Sequence, residues 1–225
     1  MKATFLRGIT WLKYGWRYSA PLNPFRLVWI DPNEIQRYPK IKPPTLPWLP
    51  SAVLGGDWDR QLKWFENGIV FRSFRNRFIK KKNWTDTVYH TFAIEMISEN
   101  GHYKGYSKPN ELKQRYKKLD ELFNNISEYG YQTQRELDSI ESLSVHRHLH
   151  LPPEMREVTV DISRSGKMLW RGGAHRLAIA KILNIEEIPV RINVRHKEWQ
   201  QLRDSIHQQN RTINHGQQKH PDLQL

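Results

Sequence analysis

The run from Val158 to His196 constrains the fold of this chain more than any other part of its sequence. Apolar and polar residues alternate over 158–171, with a turn in the middle, and this pattern predicts a β-hairpin. A nearly all-apolar stretch over 174–183 predicts a buried helix, and renewed alternation over 188–196 predicts a strand with one packed face. Together these elements predict an α+β fold, with a small mixed sheet and flanking helices. The other face of the last strand presents Arg191, Asn193 and Arg195, which either line a pocket or face water.

A two-glycine turn, Gly172-Gly173-Ala174-His175-Arg176, joins the hairpin to the helix. The start of a helix leaves backbone N–H groups unpaired and places a partial positive charge there. Two glycines let an anion approach that backbone closely, and the next His and Arg add side-chain donors. Residues Gly172, Gly173, Ala174, His175 and Arg176 are therefore predicted to bind a phosphate group. The alternative is a tight turn without a ligand, in which His175 caps the helix or is buried.

The composition favours an anionic partner. The chain has 36 Lys and Arg against 23 Asp and Glu, a net charge of +13, which suits nucleic acid, a nucleotide or an acidic membrane. A solvated basic surface without such a partner explains the charge as well. The chain has no cysteine, which excludes disulfides, thiolate metal sites and cysteine nucleophiles. With no apolar run of about 18 residues, these features predict a cytoplasmic protein without a transmembrane segment.

Three regions are expected along the chain. Residues 1–25 predict a basic, aromatic helix, and the five prolines of 39–50 predict an extended loop. Residues 26–208 form the α+β domain, with a helical region inserted at about 60–130, and the polar residues 209–225 predict a disordered tail. The first helix has an apolar stripe of Phe5, Ile9, Leu12 and Trp16. The favoured interpretation is that this stripe packs on the domain, and the alternative is a helix on a membrane surface.

The inserted region contains two predicted helices. Over 71–82, phenylalanines share one face and are expected to be buried, whereas the cations are candidates for nucleic-acid contact. These cations are Arg72, Arg75, Arg77, Lys80, Lys81 and Lys82. Over 107–130, apolar residues recur at helical spacing, Ser107 is the expected cap and Gly130 the expected end.

Carboxylates and histidines suggest further chemistry. Asp57, Asp59 and Asp161 are candidates for a catalytic base or a Mg²⁺ ligand, the first two in a Gly-Gly-Asp-Trp-Asp loop and the third on a strand. Asp161 alternates with the apolar residues of that strand and is expected to point away from them. The segment His146–His150 has three histidines at alternate positions, which could converge on a metal. An exposed polar loop is the favoured interpretation of that segment.

The turn, the buried helix and the following Ile188-Pro189-Val190 resemble, in this order, the ParB/sulfiredoxin-like superfamily. Residues 122–130 are similar to the family's helix before the central strands, and residues 27–35 are similar to its opening strand and helix. The more specific part of the resemblance covers residues 122–196. It implies a ParB/sulfiredoxin-like core with an N-terminal helical and proline-rich extension.

The departures from the family patterns limit the implied chemistry. At this turn, the pattern typical of sulfiredoxins is Gly-Gly-Cys-His-Arg, in which the Cys performs the reaction. This chain has Ala174 in place of that Cys. Free-serine kinases of the family have Asp where this chain has Gly172, and chromosome-partitioning members have Glu at Ala174. The resemblance then implies a nucleotide-binding protein that takes ATP or CTP with Mg²⁺, as a hydrolase or phosphotransferase. The alternative is a DNA- or RNA-binding module without catalysis, in which the Arg- and Lys-rich segments 72–82 and 113–118 contact backbone phosphates. A third interpretation is a scaffold that keeps the fold and has lost the activity. The oligomeric state stays open, a dimer included.

Overall fold

The structure is a computed structural model that describes residues 3–44, 51–139, 152–209 and 220–224. The chain forms two compact units. Unit 1 comprises Met1–Trp64, Thr133–Gly173 and Glu186–Leu225, and unit 2 comprises Phe65–Gln132 and Ala174–Ile185. None of the helices in these described ranges has the length and apolar character needed to span a bilayer.

Unit 1 contains a mixed β-sheet of seven strands within the described residues. The strands are β1 (Leu27–Ile30), β2 (Arg37–Pro39), β3 (Ala52–Leu54), β4 (Leu62–Trp64), β5 (Val158–Ile162), β6 (Met168–Gly172) and β7 (Ile188–His196). Their order across the sheet is β1-β7-β5-β6-β2-β4, and β3 also pairs with β7. The pairs β5–β7, β3–β7 and β2–β6 are parallel, and the pairs β1–β7, β2–β4 and β5–β6 are antiparallel.

The antiparallel pair β5–β6 confirms the predicted hairpin, and β7 confirms the predicted last strand. Val158 pairs with Val190, and a register shift follows between Val160 and Asp161. Every residue of β5 is buried, and so is every residue of β7 except Asn193. This two-sided burial is typical of central strands with parallel neighbours. The polar residues of both strands are therefore inside the protein, and the interpretation that the Arg191–Arg195 face meets water is wrong.

The first helix of unit 1, α1 (Ala3–Thr10), continues as a π-helical turn over Trp11–Gly15. Tyr14 anchors it in a cluster with Ala52, Val53 and Val194. Ile9 packs against the same cluster, but the other three residues of the predicted apolar stripe are exposed. The helix is confirmed, and the expectation that its whole apolar stripe packs is wrong.

The other helices of unit 1 are α5 (Gln134–Ser139) and α7 (Lys197–Gln209), with 3₁₀ turns at Pro32–Glu34 and Pro153–Arg156. The last described residues, 220–224, lie against α7. Asp222 is fully buried, 2.7 Å from Arg195 Nη2, and it also accepts a hydrogen bond from Trp199 at 2.9 Å. A disordered tail is therefore wrong for residues 220–224.

Unit 2 is helical within the described residues. Its helices are α2 (Ile69–Phe74), which continues as a π-helical turn over Arg75–Ile79, α3 (Val88–Asn100), α4 (Leu112–Tyr129) and α6 (Ala174–Ile182). Its 3₁₀ turns are Phe65–Asn67, Trp84–Asp86 and Pro109–Glu111. Helix α6 packs against α2 and α4, and its middle residues are buried, as its apolar sequence predicts.

The start of the long helix differs from its prediction. Ser107 does not cap it. Instead, the Glu111 carboxylate accepts hydrogen bonds from the N–H groups of Ser107 at 2.9 Å and Lys108 at 3.2 Å. A glutamate in the first turn supplies the acceptor that the sequence assigned to the serine hydroxyl.

The mixed sheet with flanking helices confirms the α+β class in general terms. The ParB/sulfiredoxin-like core remains a prediction. Residues 45–50 of the predicted proline-rich loop lie outside the described residues.

Candidate anion-binding site

Three charged residues lie on adjacent strands of the unit 1 sheet. Asp161 is near the end of β5 and is fully buried. Its Oδ2 atom lies 3.5 Å from Nη1 of Arg171 on β6. On the other side, Arg191 of β7 is 6% exposed, and its Nη2 donates to Thr159 Oγ1 at 3.5 Å. The sheet thus brings a carboxylate and two guanidinium groups together in its interior.

A fourth charge joins this group from the segment after β2. The Lys42 ammonium donates to the Arg171 carbonyl at 3.3 Å and lies 5.1 Å from the centre of the Trp170 ring. Lys42 is exposed, whereas Asp161 and Arg191 are buried, so the group extends from the surface inward. Lys42, Asp161, Arg171 and Arg191 are called the cationic cluster below.

The charges of the cationic cluster do not balance, because three cations surround one carboxylate. Burial raises the pKa of Asp161 to about 6, against the opposing effect of Arg171. Burial lowers the pKa of Arg191 to about 10, although the charge of Asp161 opposes this shift; the charge of Arg171 acts in the same direction as burial. Burial and Arg171 together lower the pKa of Lys42. Each shift reflects a charged form that is poorly solvated where it lies.

The Arg191 guanidinium has more donors than partners. Its Nε and Nη1 atoms are buried and make no hydrogen bond with any residue that the structure describes. A buried charge without hydrogen-bond partners is expensive, and such groups are normally paired. A bound anion would supply both the acceptors and the missing negative charge.

The two glycines at the end of β6 have different roles. Gly173 has φ +77°, and a Cβ there would lie 2.9 Å from the Val158 Cα. A Cβ at Gly172 would make ordinary contact, 3.7 Å from the Thr159 Cβ. The tight turn therefore accounts for Gly173 by itself, without a ligand.

His175 and Arg176, the predicted phosphate-binding side chains, have protein partners in unit 2. The His175 ring stacks on Phe74, with centroids 5.5 Å apart, and its Nε2 lies 3.5 Å from Nη2 of Arg115. Burial and the charges of Arg115 and Lys104 lower the pKa of His175 to about 3, so the ring is neutral at physiological pH. A neutral ring is a weaker anion ligand than the sequence suggested.

Arg176 is 9% exposed. Its guanidinium lies 4.1 Å from the centre of the Tyr131 ring and donates to the Gln132 carbonyl. These contacts are typical of a structural arginine. His175 and Arg176 lie in the first turn of helix α6, which begins at Ala174, and both side chains contact protein groups there.

Asp57 and Asp59 belong to a different ion-pair group from Asp161. The Arg164 side chain donates to both carboxylates at 2.8 Å, and the Arg164 N–H donates to Asp59 at 2.8 Å. Burial would raise the pKa of Asp59, but the hydrogen bonds from Arg164 hold it below its ordinary value. The pKa of Asp57 is lowered by hydrogen bonds from Arg164 and Arg60. Both carboxylates are thus held as anions in pairs that brace the turn of the hairpin.

The predicted nucleic-acid contacts on α2 and after it are mostly exposed. Arg77 is the exception, because its guanidinium pairs with Asp120 at 2.9 Å and its side chain is half-buried. Its role is to tie the helix end to α4. The other five predicted cations, Arg72, Arg75, Lys80, Lys81 and Lys82, are exposed.

No group of three or more His, Asp or Glu side chains within the described residues is placed to hold a metal ion. The segment His146–His150 lies outside those residues. Asp161 lies beside Arg171, and Asp57 and Asp59 pair with Arg164, so these three carboxylates already have cationic partners.

Comparison with protein-family models, with curated proteins and with solved structures finds no match for this chain. The fold and the site define the protein as a mixed α/β chain with a cationic cluster that extends from the surface into the sheet. Two members of that cluster could not be found from local sequence patterns. Lys42 follows a short strand without any motif, and Arg171 precedes the two glycines without a periodic signal of its own.

Proposed function

We propose that this protein binds a phosphorylated small molecule, with a nucleotide as the first candidate, and that the cationic cluster holds the phosphate. The observation that supports this most directly is the Arg191 guanidinium, buried with two nitrogens lacking partners among the described residues. Three cations against one carboxylate leave two positive charges, which matches a phosphate dianion. Arginine forks suit phosphate oxygens because they donate two parallel hydrogen bonds.

The positions of the cations suggest how the ligand enters. Lys42 is exposed and Arg171 is half-buried, so a phosphate would meet these two groups first. Arg191 lies deeper and would complete the set of donors. The turn at Gly172 and Gly173 follows Arg171 directly, but Val158 and Thr159 fill the space beside it, so the proposed phosphate contacts come from the side chains of the cluster.

The choice of a nucleotide rests on the resemblance of residues 122–196 to the ParB/sulfiredoxin-like superfamily. The site differs from the predicted one, because its charges come from β5, β6 and β7 instead of the side chains of His175 and Arg176. If the protein transfers or hydrolyses a phosphoryl group, Asp161 is the carboxylate in the site that could accept a proton. A nucleotide-bound Mg²⁺ needs only one or two protein carboxylates and stays a prediction, so no step is assigned to one here.

The binding proposal is tested by ligand-dependent thermal shift. Sulfate, phosphate, AMP, ATP, CTP and GTP are compared, each with and without Mg²⁺, on wild type and on Arg191→Met. Binding should raise the melting temperature of the wild type and leave Arg191→Met unchanged. The matched control is Arg135→Gln, which removes an arginine whose side chain is 73% exposed, and this variant should respond like the wild type.

Two results would count against this proposal in different ways. If no anion stabilises the wild type at millimolar concentration, the cationic cluster is not an anion site. If sulfate and phosphate stabilise it but no nucleotide does so at lower concentration, the site binds phosphate and the nucleotide assignment is wrong.

A second candidate function is nucleic-acid binding by unit 2. It is favoured by five exposed cations, Arg72, Arg75, Lys80, Lys81 and Lys82, that form no ion pair with other described residues. Contacts between such cations and phosphates release counterions, so the affinity should fall steeply with salt. Changing Arg75, Lys80 and Lys81 to Gln should reduce both the affinity and the salt slope, while Lys197→Gln at the start of α7 serves as the exposed-lysine control. A wild-type protein that does not retain DNA or RNA at low salt excludes this function.

A further inference from the structure

A second surface of unit 1 exposes large apolar side chains along α1 and the turn that continues it. This aromatic face consists of Phe5, Leu12 and Trp16, with exposed fractions of 57%, 68% and 76%, and Trp11, which is 68% exposed, lies on the neighbouring side of the same turn. Single exposed apolar residues are ordinary on a protein surface, whereas several large ones grouped on one helix face mark an interaction site.

The helix does not need this face to hold its place in unit 1. Thr10 and Tyr14 are buried on its other side, and Tyr14 packs with Val53 and Val194. Arg7 adds a contact, with its guanidinium 5.5 Å from the centre of the Phe25 ring. The aromatic face is therefore surplus to the packing of the domain.

Trp11 is held along the helix by the glycine that follows. A Cβ at Gly15 would lie 2.6 Å from Cδ1 of Trp11, so the indole occupies the space that a side chain at position 15 would take. The five-membered ring of the indole therefore lies against the backbone at Gly15, while 68% of the residue stays exposed.

The surroundings of the aromatic face are positively charged. Residues 1–30 contain five cations, Lys2, Arg7, Lys13, Arg17 and Arg26, and no acidic residue. Arg7, Lys13 and Arg17 are exposed, and the Arg17 guanidinium lies 5.3 Å from the centre of the Trp16 ring. Tryptophan beside lysine and arginine is the composition typical of a helix that lies in a membrane interface.

We infer that the aromatic face docks on the surface of an anionic lipid bilayer. Charge complementarity selects this occupant. A second copy would bring the same cations against themselves, whereas anionic headgroups would attract Lys13 and Arg17. A nucleic acid would pair with the cations but would offer nothing apolar to Phe5 and Leu12. A bilayer accommodates both features, with the rings and Leu12 at the level of the headgroups and upper acyl chains. This inference is independent of the anion site on the sheet.

The test is vesicle flotation of the full chain with phosphatidylcholine alone and with a mixture of phosphatidylcholine and phosphatidylserine. The wild type should float with the mixed vesicles, bind more weakly at high salt, and show a blue shift of its tryptophan fluorescence. Replacing Phe5, Leu12 and Trp16 by Gln keeps a good helix former at each position and should abolish flotation. Removing one cation, in Lys13→Gln or Arg17→Gln, should weaken binding about fivefold.

The control variant is Ile41→Ser combined with Ile79→Ser, which removes two exposed apolar side chains from other parts of the chain and should bind as the wild type does. The inference is overturned if the wild type fails to float with mixed vesicles, or if the triple Gln variant floats equally well. It is also overturned if neutral and anionic vesicles are bound alike at every salt concentration. Concentration-dependent self-association that the triple Gln variant loses, without vesicle binding, would assign the face to a second copy.

Discussion

The carboxylate of Asp161 and the guanidinium of Arg171 lie 3.5 Å apart on neighbouring strands, yet the pKa of Asp161 rises to about 6. Burial outweighs the attraction of the arginine, so the carboxyl is near half-ionisation at mildly acidic pH. The cationic cluster therefore has three uncompensated cations below pH 6 and two above it. This makes the charge of the site depend on pH within an accessible range.

The first prediction concerns that pH dependence. Sulfate keeps two negative charges from pH 5 to pH 8, so any change in its affinity reports on the protein. Affinity should fall by about tenfold as Asp161 ionises, because a buried carboxylate near the anion repels it. Asp161→Asn should bind sulfate more tightly at pH 7.5 and lose most of the pH dependence. Calorimetric titration at several pH values measures both effects.

The pH dependence is assigned to Asp161 because the wild type should show it and Asp161→Asn should not. A pH profile that Asp161→Asn shares with the wild type would assign the titration to another group. Direct carbon NMR titration of the Asp161 carboxyl gives an independent value. Sulfate should raise its pKa further, since a bound anion disfavours the ionised form.

The second prediction separates a ligand-binding arginine from a structural one. Arg191→Met removes a buried cation that has unpartnered nitrogens and leaves an apolar side chain of similar length. In a buffer without sulfate or phosphate, the variant should be more stable than the wild type by about 1–3 kcal/mol, because the cost of burying a poorly paired guanidinium is removed. Chemical denaturation in a chloride buffer measures this free energy of unfolding. A structural arginine would give the opposite sign, with destabilisation and no loss of ligand response.

The strands and helices around the site could be predicted because their patterns are local. Alternation of apolar residues identified β5, β6 and β7, and the apolar run after Gly173 identified α6. For β5, the sequence predicted which residues share a face, but it did not predict that both faces are buried. Asp161 points away from the apolar residues as expected, yet it is fully buried, because the strands are covered on both sides. Local alternation contains no information about the second covering layer.

The assembly of the cationic cluster depends on contacts that no local pattern specifies. The register between β5 and β7 shifts at Val160/Asp161, so the relative positions of Asp161 and Arg191 do not follow from counting along the strands. Lys42 reaches Arg171 from a segment far away in the sequence. In α1, the spacing of apolar residues predicted a helix correctly. It did not predict the buried side, because Tyr14, and not Trp16, packs against Val53 and Val194, which are distant in the sequence.

The third prediction compares the two glycines of the turn. Gly173→Ala should lower the free energy of unfolding by more than about 1 kcal/mol, because φ is +77° and the new Cβ would meet the Val158 backbone at 2.9 Å. Gly172→Ala should change stability little, since its Cβ would make ordinary contact with Thr159. Thermal unfolding of the two variants, side by side, tests this. Equal losses of stability would mean either that the turn relaxes around a Cβ at position 173 or that a Cβ at position 172 makes a closer contact than 3.7 Å.

The fourth prediction concerns Asp222, which the sequence placed in a disordered tail. Arg195 and Arg203 both pair with it, and burial would raise its pKa, but these two arginines lower that pKa to about 2. A carboxyl whose pKa is depressed contributes stability above its ordinary pKa, near 4, and loses it as the pH falls toward 2. Asp222→Asn should therefore lower the free energy of unfolding at pH 7 by about 3–5 kcal/mol, because two buried guanidinium groups lose their counter-charge.

The acid limb of the unfolding profile provides the decisive comparison. Between pH 4 and pH 2 the wild type should lose stability that Asp222→Asn has already lost, so the two curves should converge. Asp204→Asn is the matched control, since Asp204 accepts hydrogen bonds from the Ala20 N–H at 2.9 Å and the Gln200 side chain at 3.0 Å, without the two-arginine pairing of Asp222. If Asp222→Asn unfolds like the wild type at pH 7, residues 220–224 do not contribute to the folded domain in solution. A large loss of unfolding free energy would show that residues 220–224 are part of the folded domain, where the Asp222 carboxylate neutralises Arg195 and Arg203.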